Sequence, residues 1–223
     1  MYGEIVIADD GQAGGRDAFA LAEVLRGPGT AVVFAHELVA HQSVGALHAL
    51  AAARGADLLI VGSHHHGPWR FGDHARGAVR DAPCQVAVTP RGYAERARHT
   101  IHSIGIGHTD TPAGRAVLDV ARELAWELGA EIHAARVVSP SNWETLESGG
   151  GWKAVAAAQR MAEIPGVHGV AIEGDVERAL ARFALSVDLL VVGAHHHGAV
   201  RRFMRGDVAA SLTAHAPCPL LVV

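Results

Sequence analysis

DLLIVGSHHHGPW (residues 57–69) and DLLVVGAHHHGAV (residues 188–200) are two nearly identical stretches of this chain. In each, an apolar run of Leu, Ile and Val ends at a glycine and leads into three consecutive histidines. An apolar run without polar alternation is typical of a strand buried on both faces of a parallel sheet. The two stretches therefore predict two buried strands, each followed by a histidine loop at its carboxyl end.

A second match follows each histidine loop. GDHARGAVRDAPCQVAV begins at Gly72 and GDVAASLTAHAPCPLLV begins at Gly206, so Gly-Asp precedes Ala-Pro-Cys by the same distance in both. Self-similarity on this scale indicates duplicated domains rather than an array of small repeats. We expect one domain over residues 1–92 and a second over residues 101–223, with the polar stretch RGYAERARHT (91–100) as the linker.

Each copy alternates predicted strands and helices. The first reads EIVIAD, TAVVFAHEL, ADLLIVG and QVAVT as strands, with GGRDAFALAEVL and SVGALHALAAARG as helices. This alternation predicts an α/β fold, with a doubly wound parallel sheet and right-handed crossovers in each domain. The second copy has a helix and the strand VHGVAIEG where the first copy has neither. The first domain is therefore predicted to be shortened.

Composition and charge limit the function classes. A formal net charge of −4 provides no electrostatic footprint for nucleic acid or acidic membranes. The longest apolar runs, such as residues 56–61 and 220–223, are too short to span a bilayer. The N-terminus runs straight into a strand, so we expect a cytoplasmic protein. Cys84 and Cys218 are expected to be free buried thiols in a reducing compartment.

The histidine loops occupy the position where such sheets bind ligands. Ligands of open α/β sheets lie beyond the carboxyl ends of the strands, where the strand order reverses. A glycine-containing turn that leads into a helix also presents unpaired N–H groups to phosphate. The chain contains no Gly-x4-Gly-Lys-Ser/Thr and no Gly-x-Gly-x-x-Gly motif, so neither a P-loop nor a dinucleotide fingerprint is present.

These residues resemble a tandem universal stress protein of the UspA family. The resemblance rests on DLLVVGAHHHGAVRRFMRGDVAASLTAHAPCPLLVV, on the similar but shorter stretch in the first copy, and on GHTDTPAGRAVLDVARELA. It implies flavodoxin-like (Rossmann-like) parallel-sheet domains that pair through their closing strands, and a homodimer. It also implies a non-catalytic stress-response regulator rather than an enzyme, in a family that includes both ATP binders and non-binders.

The resemblance implies a set of residues for a nucleotide site. ATP-binding members carry an Asp after the first strand and a later Gly-x2-Gly-x9-Gly-Ser/Thr loop. Both copies have histidine at the middle glycine and aspartate at the hydroxyl position; Asp10 favours the first copy, whereas the loop spacing favours the second. The candidate residues are Asp10, Gly62, His65, Gly67, Gly72 and Asp73 in the first copy, and Thr109, Val138, Gly193, His196, Gly198, Gly206 and Asp207 in the second.

The substitutions leave several interpretations open. A histidine side chain obstructs close approach of the backbone to phosphate, and an aspartate repels phosphate unless a cation such as Mg²⁺ lies between them. ATP with Mg²⁺ is one expectation, and a weak ATPase with Mg²⁺ on Asp10 or Asp207 is its alternative. A histidine-loop metal-binding module, using His195, His197 and Asp207, is another.

Other polar residues have structural interpretations. Asp73 and Asp207 are equally typical of helix N-caps. Asp57 and Asp188, before the apolar strands, are interpreted as caps or turn residues, and His36 and His133 as packed or edge residues of second strands. No combination of residues supplies a recognisable catalytic set.

Overall fold

A computed structural model describes residues 2–9, 11, 13–36, 44–63, 73–96, 100–138, 159–161, 163–193, 208–214 and 216–223. The chain divides into two compact units, one comprising Met1–Thr100 with Ala194–Val223 and the other Ile101–Gly193. Both histidine loops, at residues 64–72 and 194–207, lie outside the described residues. The domain boundaries taken from the repeat, 1–92 and 101–223, stay a prediction, since the compact units are defined by contacts and not by the duplication.

The first unit is built on four parallel strands from the first sequence copy. The elements are β1 (Tyr2–Ile7), α1 (Ala13–Leu25), β2 (Arg26–Phe34), α2 (Val44–Arg54), β3 (Leu58–Gly62), α3 (Asp73–Val79) and β4 (Gln85–Thr89). In the sheet, β2 lies beside β1, β1 beside β3, and β3 beside β4. The apolar run that suggested a buried strand is β3, and its residues Leu58, Leu59 and Ile60 are completely buried.

The second unit also contains four parallel strands. Its elements are β5 (Ser103–Gly107), α4 (Pro112–Leu128), β6 (Glu131–Val138), β7 (Val167–Glu173), α5 (Val176–Phe183) and β8 (Leu189–Val192). The strand order is β8-β5-β6-β7, so that β7 lies beyond β6, the counterpart of β2. In the first unit, by contrast, no strand of the described residues lies beyond β2. The predicted α/β fold of repeated parallel sheets, the first shortened, is confirmed.

The strands that close the two sequence copies pair with each other inside the first unit. The end of the chain forms α6 (Val208–Leu212) and β9 (Leu220–Val222). β9 runs antiparallel to β4, with Val86 opposite Val222 and Val88 opposite Leu220. Both strands carry only apolar side chains at these positions, so their pairing covers an edge that would otherwise invite association with other chains.

The first part of the predicted linker packs against the first unit rather than standing in solvent. Asp17 on α1 is buried, and its carboxylate accepts hydrogen bonds from the backbone N–H groups of Gly92 at 2.9 Å and Ala94 at 2.7 Å. Tyr93 between them is only 4% exposed, and Arg96 donates to the carbonyl of Pro217 at 2.7 Å. A buried carboxylate needs such donors, because an unpaired one is costly to bury.

Asp57 and Asp188 are structural, as predicted, but they bind a neighbouring strand rather than their own turn. Asp57 Oδ2 accepts from the N–H groups of Gly3 at 2.8 Å and Glu4 at 3.0 Å. Asp188 Oδ2 accepts from the N–H groups of His102 and Ser103, both at 2.9 Å. In both copies the carboxylate therefore holds the start of the first strand against the start of the apolar strand.

Two further expectations concern thiols and membranes. Cys84 and Cys218 are free; Cys218 is buried and Cys84 is half-buried, so the prediction of two buried thiols is only partly correct. Burial raises the pKa of the Cys84 thiol, because it disfavours the thiolate.

Within the described part of the chain, no helix has the length and apolarity required to cross a bilayer.

Candidate functional site

The strand order places the candidate site between β5 and β8. The chain proceeds from β5 to β6 and β7 on one side of β5, and then returns to form β8 on the other. The strand order therefore reverses at β5, and in open α/β sheets ligands bind in the crevice outside the carboxyl ends of the strands at such a point. Residues 108–111 follow β5, and Gly193 follows β8. In the first unit, the carboxyl ends of β1 and β3 hold the equivalent position.

The loop after β5 is fixed to the start of α4. Thr111 is the N-cap of this helix and its hydroxyl accepts from the backbone N–H of Gly114 at 3.2 Å. The hydroxyl groups of Thr109 and Thr111 lie 2.8 Å apart and share a hydrogen bond. A Cβ on Gly114 would lie 1.9 Å from the carbonyl oxygen of Thr109, so only glycine permits this close approach. The sequence Thr-Asp-Thr-Pro-Ala-Gly thus produces a tight, capped turn at the crevice.

An ion pair joins this loop to β6. The guanidinium of Arg136 donates through Nη1 to Oδ2 of Asp110. This hydrogen bond is the main reason why the pKa of Asp110 lies below its ordinary value. The side chain of His108 is 9% exposed, with its Nε2 3.4 Å from Oδ1 of Asp110, and its buried Nδ1 has no hydrogen-bond partner among the described residues. The crevice in the second unit therefore has a basic group beside it that is neutralised by a loop carboxylate.

The two crevices differ in the space beside their first glycine. A Cβ on Gly62 would lie 2.6 Å from the backbone Cα and carbonyl oxygen of Gly14, so the start of α1 presses directly on the end of β3. A Cβ on Gly193 would instead make ordinary contacts, 3.5 Å from Val117 Cγ2 and 3.8 Å from Ala113 Cβ. The helix start is therefore farther from the strand end in the second unit than in the first.

The first unit has a comparable but more exposed arrangement. Asp9 Oδ1 accepts from the backbone N–H of Gly11 at 2.8 Å, and Asp9 Oδ2 lies 3.0 Å from Nδ1 of His36. The imidazole of His36 stacks on Phe34, with ring centroids 5.8 Å apart. His36, predicted to be a packed or edge residue, lies just beyond β2 at the edge of the described sheet, with 63% of its side chain exposed.

A model of a known protein family matches the chain twice, once over each sequence copy. The model of the universal stress protein family matches residues 8–90 and again residues 100–223. The chain belongs to the universal stress protein family. It is a tandem member, because two matches account for nearly the whole length.

Solved structures of similar fold align with both copies of the repeat. A universal stress protein from Archaeoglobus fulgidus DSM 4304 aligns with 99% of this chain and 97% of its own length, at 12% identity and a TM-score of 0.63. A functionally unknown protein from Pseudomonas aeruginosa PAO1 aligns with 100% of this chain and 92% of its own, at 17% identity and a TM-score of 0.65. At these identities the likeness shows the fold alone. No curated protein matches the chain.

In this universal stress protein, the structure describes only part of the predicted nucleotide site. Thr109, Val138 and Gly193 lie at the carboxyl ends of β5, β6 and β8, and the carbonyl of Val138 accepts from Gly174 N–H at 3.1 Å. Gly62 ends β3, and the backbone of Asp73 begins α3. The remaining predicted residues lie outside the described residues: Asp10, His65, Gly67, Gly72, His196, Gly198, Gly206 and Asp207. The same holds for His195 and His197 of the metal-binding alternative.

Sequence reasoning missed the three charged or titratable residues beside the crevice of the second unit. His108 and Asp110 flank the predicted Thr109 directly, and Arg136 lies near the end of the strand that follows. Nothing in their spacing marks them, since the loop and the strand meet only through the sheet register. The sequence does indicate that Asp110 lies in the loop, because it stands two residues before Pro112, where α4 begins.

No group of three or more His, Cys, Asp or Glu residues in the described ranges is arranged to hold a metal ion. Two histidines do meet on β6 and β7, where His133 stacks on His168 with ring centroids 5.2 Å apart. His133 also lies 3.7 Å from Glu131 through its Nε2. His133 is therefore a half-buried residue inside the sheet of the second unit, in line with its interpretation as packed.

Proposed function

We propose that this universal stress protein is a non-catalytic stress-response regulator that binds an adenine nucleotide in the crevice of its second unit. The observation that carries the proposal is the looser packing beside Gly193, where an added Cβ would make ordinary contacts, whereas a Cβ on Gly62 would clash with the backbone of Gly14. Sequence reasoning left the choice between copies open, because Asp10 favoured one and the loop spacing favoured the other. The steric difference favours the second.

The described residues fit a nucleotide. Gly193 leaves the end of β8 without a side chain, so a ligand can approach the backbone there closely. Thr109 and Thr111 place two hydroxyl groups at the end of β5 that can bond to sugar or phosphate oxygen atoms. Thr109 stands where ATP-binding members carry an aspartate, so this position supplies a hydroxyl group in place of a carboxylate. If Mg²⁺ accompanies the nucleotide, Asp207 in the following loop is its candidate ligand.

The proposed role is regulation rather than catalysis. The hydroxyl groups of Thr109 and Thr111 bond to each other, and Thr111 also caps α4. Both hydroxyl groups therefore stabilise the turn rather than act with a catalytic base. A nucleotide held in this crevice would stabilise the folded unit and the turn after β5 by mass action. The signal would then reach a partner through the surface of the loop, without turnover of the ligand.

The test measures binding of ATP with Mg²⁺ to untagged protein by calorimetry. Gly193→Ala is expected to weaken binding about tenfold, which is about 1.4 kcal/mol, while the fold tolerates the added methyl. Gly107→Ala is the matched control, because a Cβ there also makes ordinary contacts, at 3.5 Å from both Cδ atoms of Leu180. That Cβ faces α5, whereas the Cβ of Gly193 faces α4.

Three results would contradict the proposal. Wild-type protein that fails to bind ATP would exclude the function outright. Equal affinity in wild-type protein and Gly193→Ala would place the ligand elsewhere. Phosphate released from ATP in proportion to protein concentration and abolished by a chelator would favour the weak ATPase instead.

A further inference from the structure

The outer edge of β2 is an apolar strand edge in the first unit. Among the described residues, no strand lies beyond it, and residues 27–35 include no charged side chain. Pro28 and a shift of register between Arg26 and Ala31 interrupt only the first half of the strand. An apolar edge without charges invites pairing with another chain, and residues 30–34 form such an edge.

The backbone groups that face this edge belong to alternate residues. The N–H of Ala35 donates to the carbonyl of Ile7 on β1 at 2.9 Å. Ala35 and Val33 therefore direct their N–H and C=O groups towards β1, because these groups alternate between the two sides of a strand in a parallel pair. Val32 and Phe34 direct theirs away from β1, to the side where another strand can be added.

Two aromatic rings lie uncovered beside the same edge. Phe34 at the end of β2 and Phe19 on α1 are each 42% exposed, and their ring centroids are 5.7 Å apart. In the second unit, Ala134 holds the position of Phe34 in the sheet register and is completely buried. Leu118, at the position of Phe19 in the helix, is only 8% exposed. The first unit thus exposes an apolar face that the second unit covers.

The second unit shows which elements cover this face. There β7 pairs with β6, the counterpart of β2, and Gly169 of β7 is opposite Ala134. A Cβ on Gly169 would lie 2.6 Å from Cβ of Met161, so Met161 packs closely on this strand. The described residues of the first unit include no such strand. Its edge can therefore accept a strand from another chain.

A second copy of β2 fits this edge. If two copies run antiparallel about a two-fold axis at Val32, the two Val32 residues exchange two backbone hydrogen bonds. Thr30 then lies opposite Phe34 of the second copy, a small side chain against a large one. The basic side chains of Arg26 and His36 lie outside residues 30–34, so no like charges oppose each other.

The closing strands are already paired within one chain. β9 runs antiparallel to β4, with apolar residues opposite one another. The homodimer that the family resemblance implied would use the closing strands, and an association between copies of this chain therefore requires a different edge.

We propose that two copies of this chain associate through β2, by antiparallel pairing of residues 30–34 and by packing of Phe34 and Phe19 against the second copy. The inference is independent of the proposed nucleotide site, which lies in the second unit. Five residues and two rings are a small surface beside the roughly 800 Å² that each partner buries in a stable complex. The dimer is therefore expected to form reversibly as the protein concentration rises.

Sedimentation velocity of the intact chain over a wide concentration range measures the association, and amide hydrogen exchange followed by NMR locates it. The N–H groups of Val32 and Phe34 should become protected as the dimer forms. Those of Val33 and Ala35, which point to β1, should be protected at every concentration and serve as the internal control.

Disulfide cross-linking tests the position of the axis. Val32→Cys should give a covalent dimer under mild oxidation, because Cα atoms of a hydrogen-bonded antiparallel pair are about 5.5 Å apart, within the range of a disulfide. Val170→Cys is the matched control, since Val170 is an exposed valine on β7 of the second unit. The wild-type chain, whose Cys84 and Cys218 are free, gives the background.

A charge exchange at Ala31 tests the interface without a change in the core. Ala31 is exposed and would lie diagonally across the axis from Ala31 of the second copy. Ala31→Lys and Ala31→Glu should each weaken the dimer about fivefold, because like charges then meet. An equal mixture of the two variants should recover the association. Ala116→Lys, on the exposed side of α4, is the control for net charge.

Three results would overturn the inference. A chain that stays monomeric at every concentration would do so, and protection of the Val32 N–H in that monomer would assign the cover of β2 to the same chain. A dimer that leaves the Val32 N–H unprotected would use another surface. Cross-linking of Val170→Cys but not of Val32→Cys would assign the contact to β7.

Discussion

The carboxylate of Asp188 accepts hydrogen bonds from both the backbone N–H and the hydroxyl of Ser103, each at 2.9 Å. The contact joins the start of β8 to the start of β5, the two strands that border the proposed crevice. Asp57 makes the corresponding contact to the start of β1 in the first unit. One carboxylate in each unit therefore sets the relative position of the two strands whose opposite ends form the site.

Asp188→Ala is expected to lower the free energy of unfolding by about 2 kcal/mol, because several donors lose a charged acceptor. Asp188→Asn should lose less, since its carbonyl oxygen can still accept. Urea denaturation measures both. Asp119→Ala, on the exposed face of α4, is the control and should be nearly neutral. An Asp188→Ala protein as stable as the wild type would show that these bonds contribute nothing.

Gly62→Ala and Gly193→Ala should differ in stability although the residues are equivalent in the repeat. The methyl at residue 62 would lie 2.6 Å from the backbone of Gly14, and such overpacking typically costs about 1–3 kcal/mol. The methyl at residue 193 fits without a clash. Thermal denaturation of the two variants tests the comparison. Equal midpoint temperatures of unfolding would mean that α1 can move away from β3 without a loss of stability.

Asp17→Ala should release the segment that follows β4. The variant leaves the N–H groups of Gly92 and Ala94 without their acceptor, at a cost of about 2 kcal/mol. Trypsin should then cleave after Arg91 and Arg96 faster than in the wild type, which mass spectrometry of the fragments measures. Asp17→Asn keeps one acceptor and is expected to be intermediate. Unchanged cleavage would mean that Tyr93 alone holds the segment.

The ionisation of Asp110 should depend on Arg136. The hydrogen bond from the guanidinium lowers the pKa of Asp110, so the pair stabilises the loop above pH about 4, the ordinary pKa region of Asp. This contribution is lost as pH falls through the lowered pKa. In Arg136→Gln the pKa of Asp110 should rise, as a ¹³C NMR titration of the carboxyl carbon would show. Arg122→Gln should leave it unchanged, and so a rise there would point to net charge instead.

Cys84 should react slowly with iodoacetamide at pH 7. Burial raises the pKa of its thiol, and the thiolate is the reactive form. The rate of alkylation, followed by mass spectrometry of the Cys84 peptide, should be lower than that of a cysteine in a short peptide and should increase when the protein is unfolded in urea. A native rate equal to the peptide rate would contradict the burial of this thiol.

Most of the fold could be predicted because its signals are local. A run such as Leu58–Val61 is apolar at every position, so only a strand covered on both faces accommodates it. Helix signals were equally local: Thr111 before Pro112, and Gly129 with φ of 66° at the other end, give α4 its limits. The absence of a helix and a strand from the first copy was visible as missing sequence, and in the structure β2 has no described outer neighbour.

The candidate site was predicted only in outline. The apolar run before it placed Gly193 at a strand end, and the resemblance to the universal stress protein family selected Thr109 after the first strand of the second copy. The sequence did not indicate that Arg136 meets Asp110, since that contact depends on the register of β5 against β6. The buried role of Asp17 was equally hidden, because a helix residue gives no sign that a segment more than seventy residues away will fold back on it.

The sequence by itself determined the duplicated architecture and the parallel strands, because apolar runs and repeated motifs are local features of the chain, and its motifs resemble those of the universal stress protein family. Only the tertiary structure showed that the two copies are packed differently beside their first glycine. Gly62 and Gly193 are the same residue in the same motif, but Gly14 presses against the first at 2.6 Å while Val117 stands 3.5 Å from the second. That difference comes from how closely a helix packs on a strand, which depends on all the side chains between them.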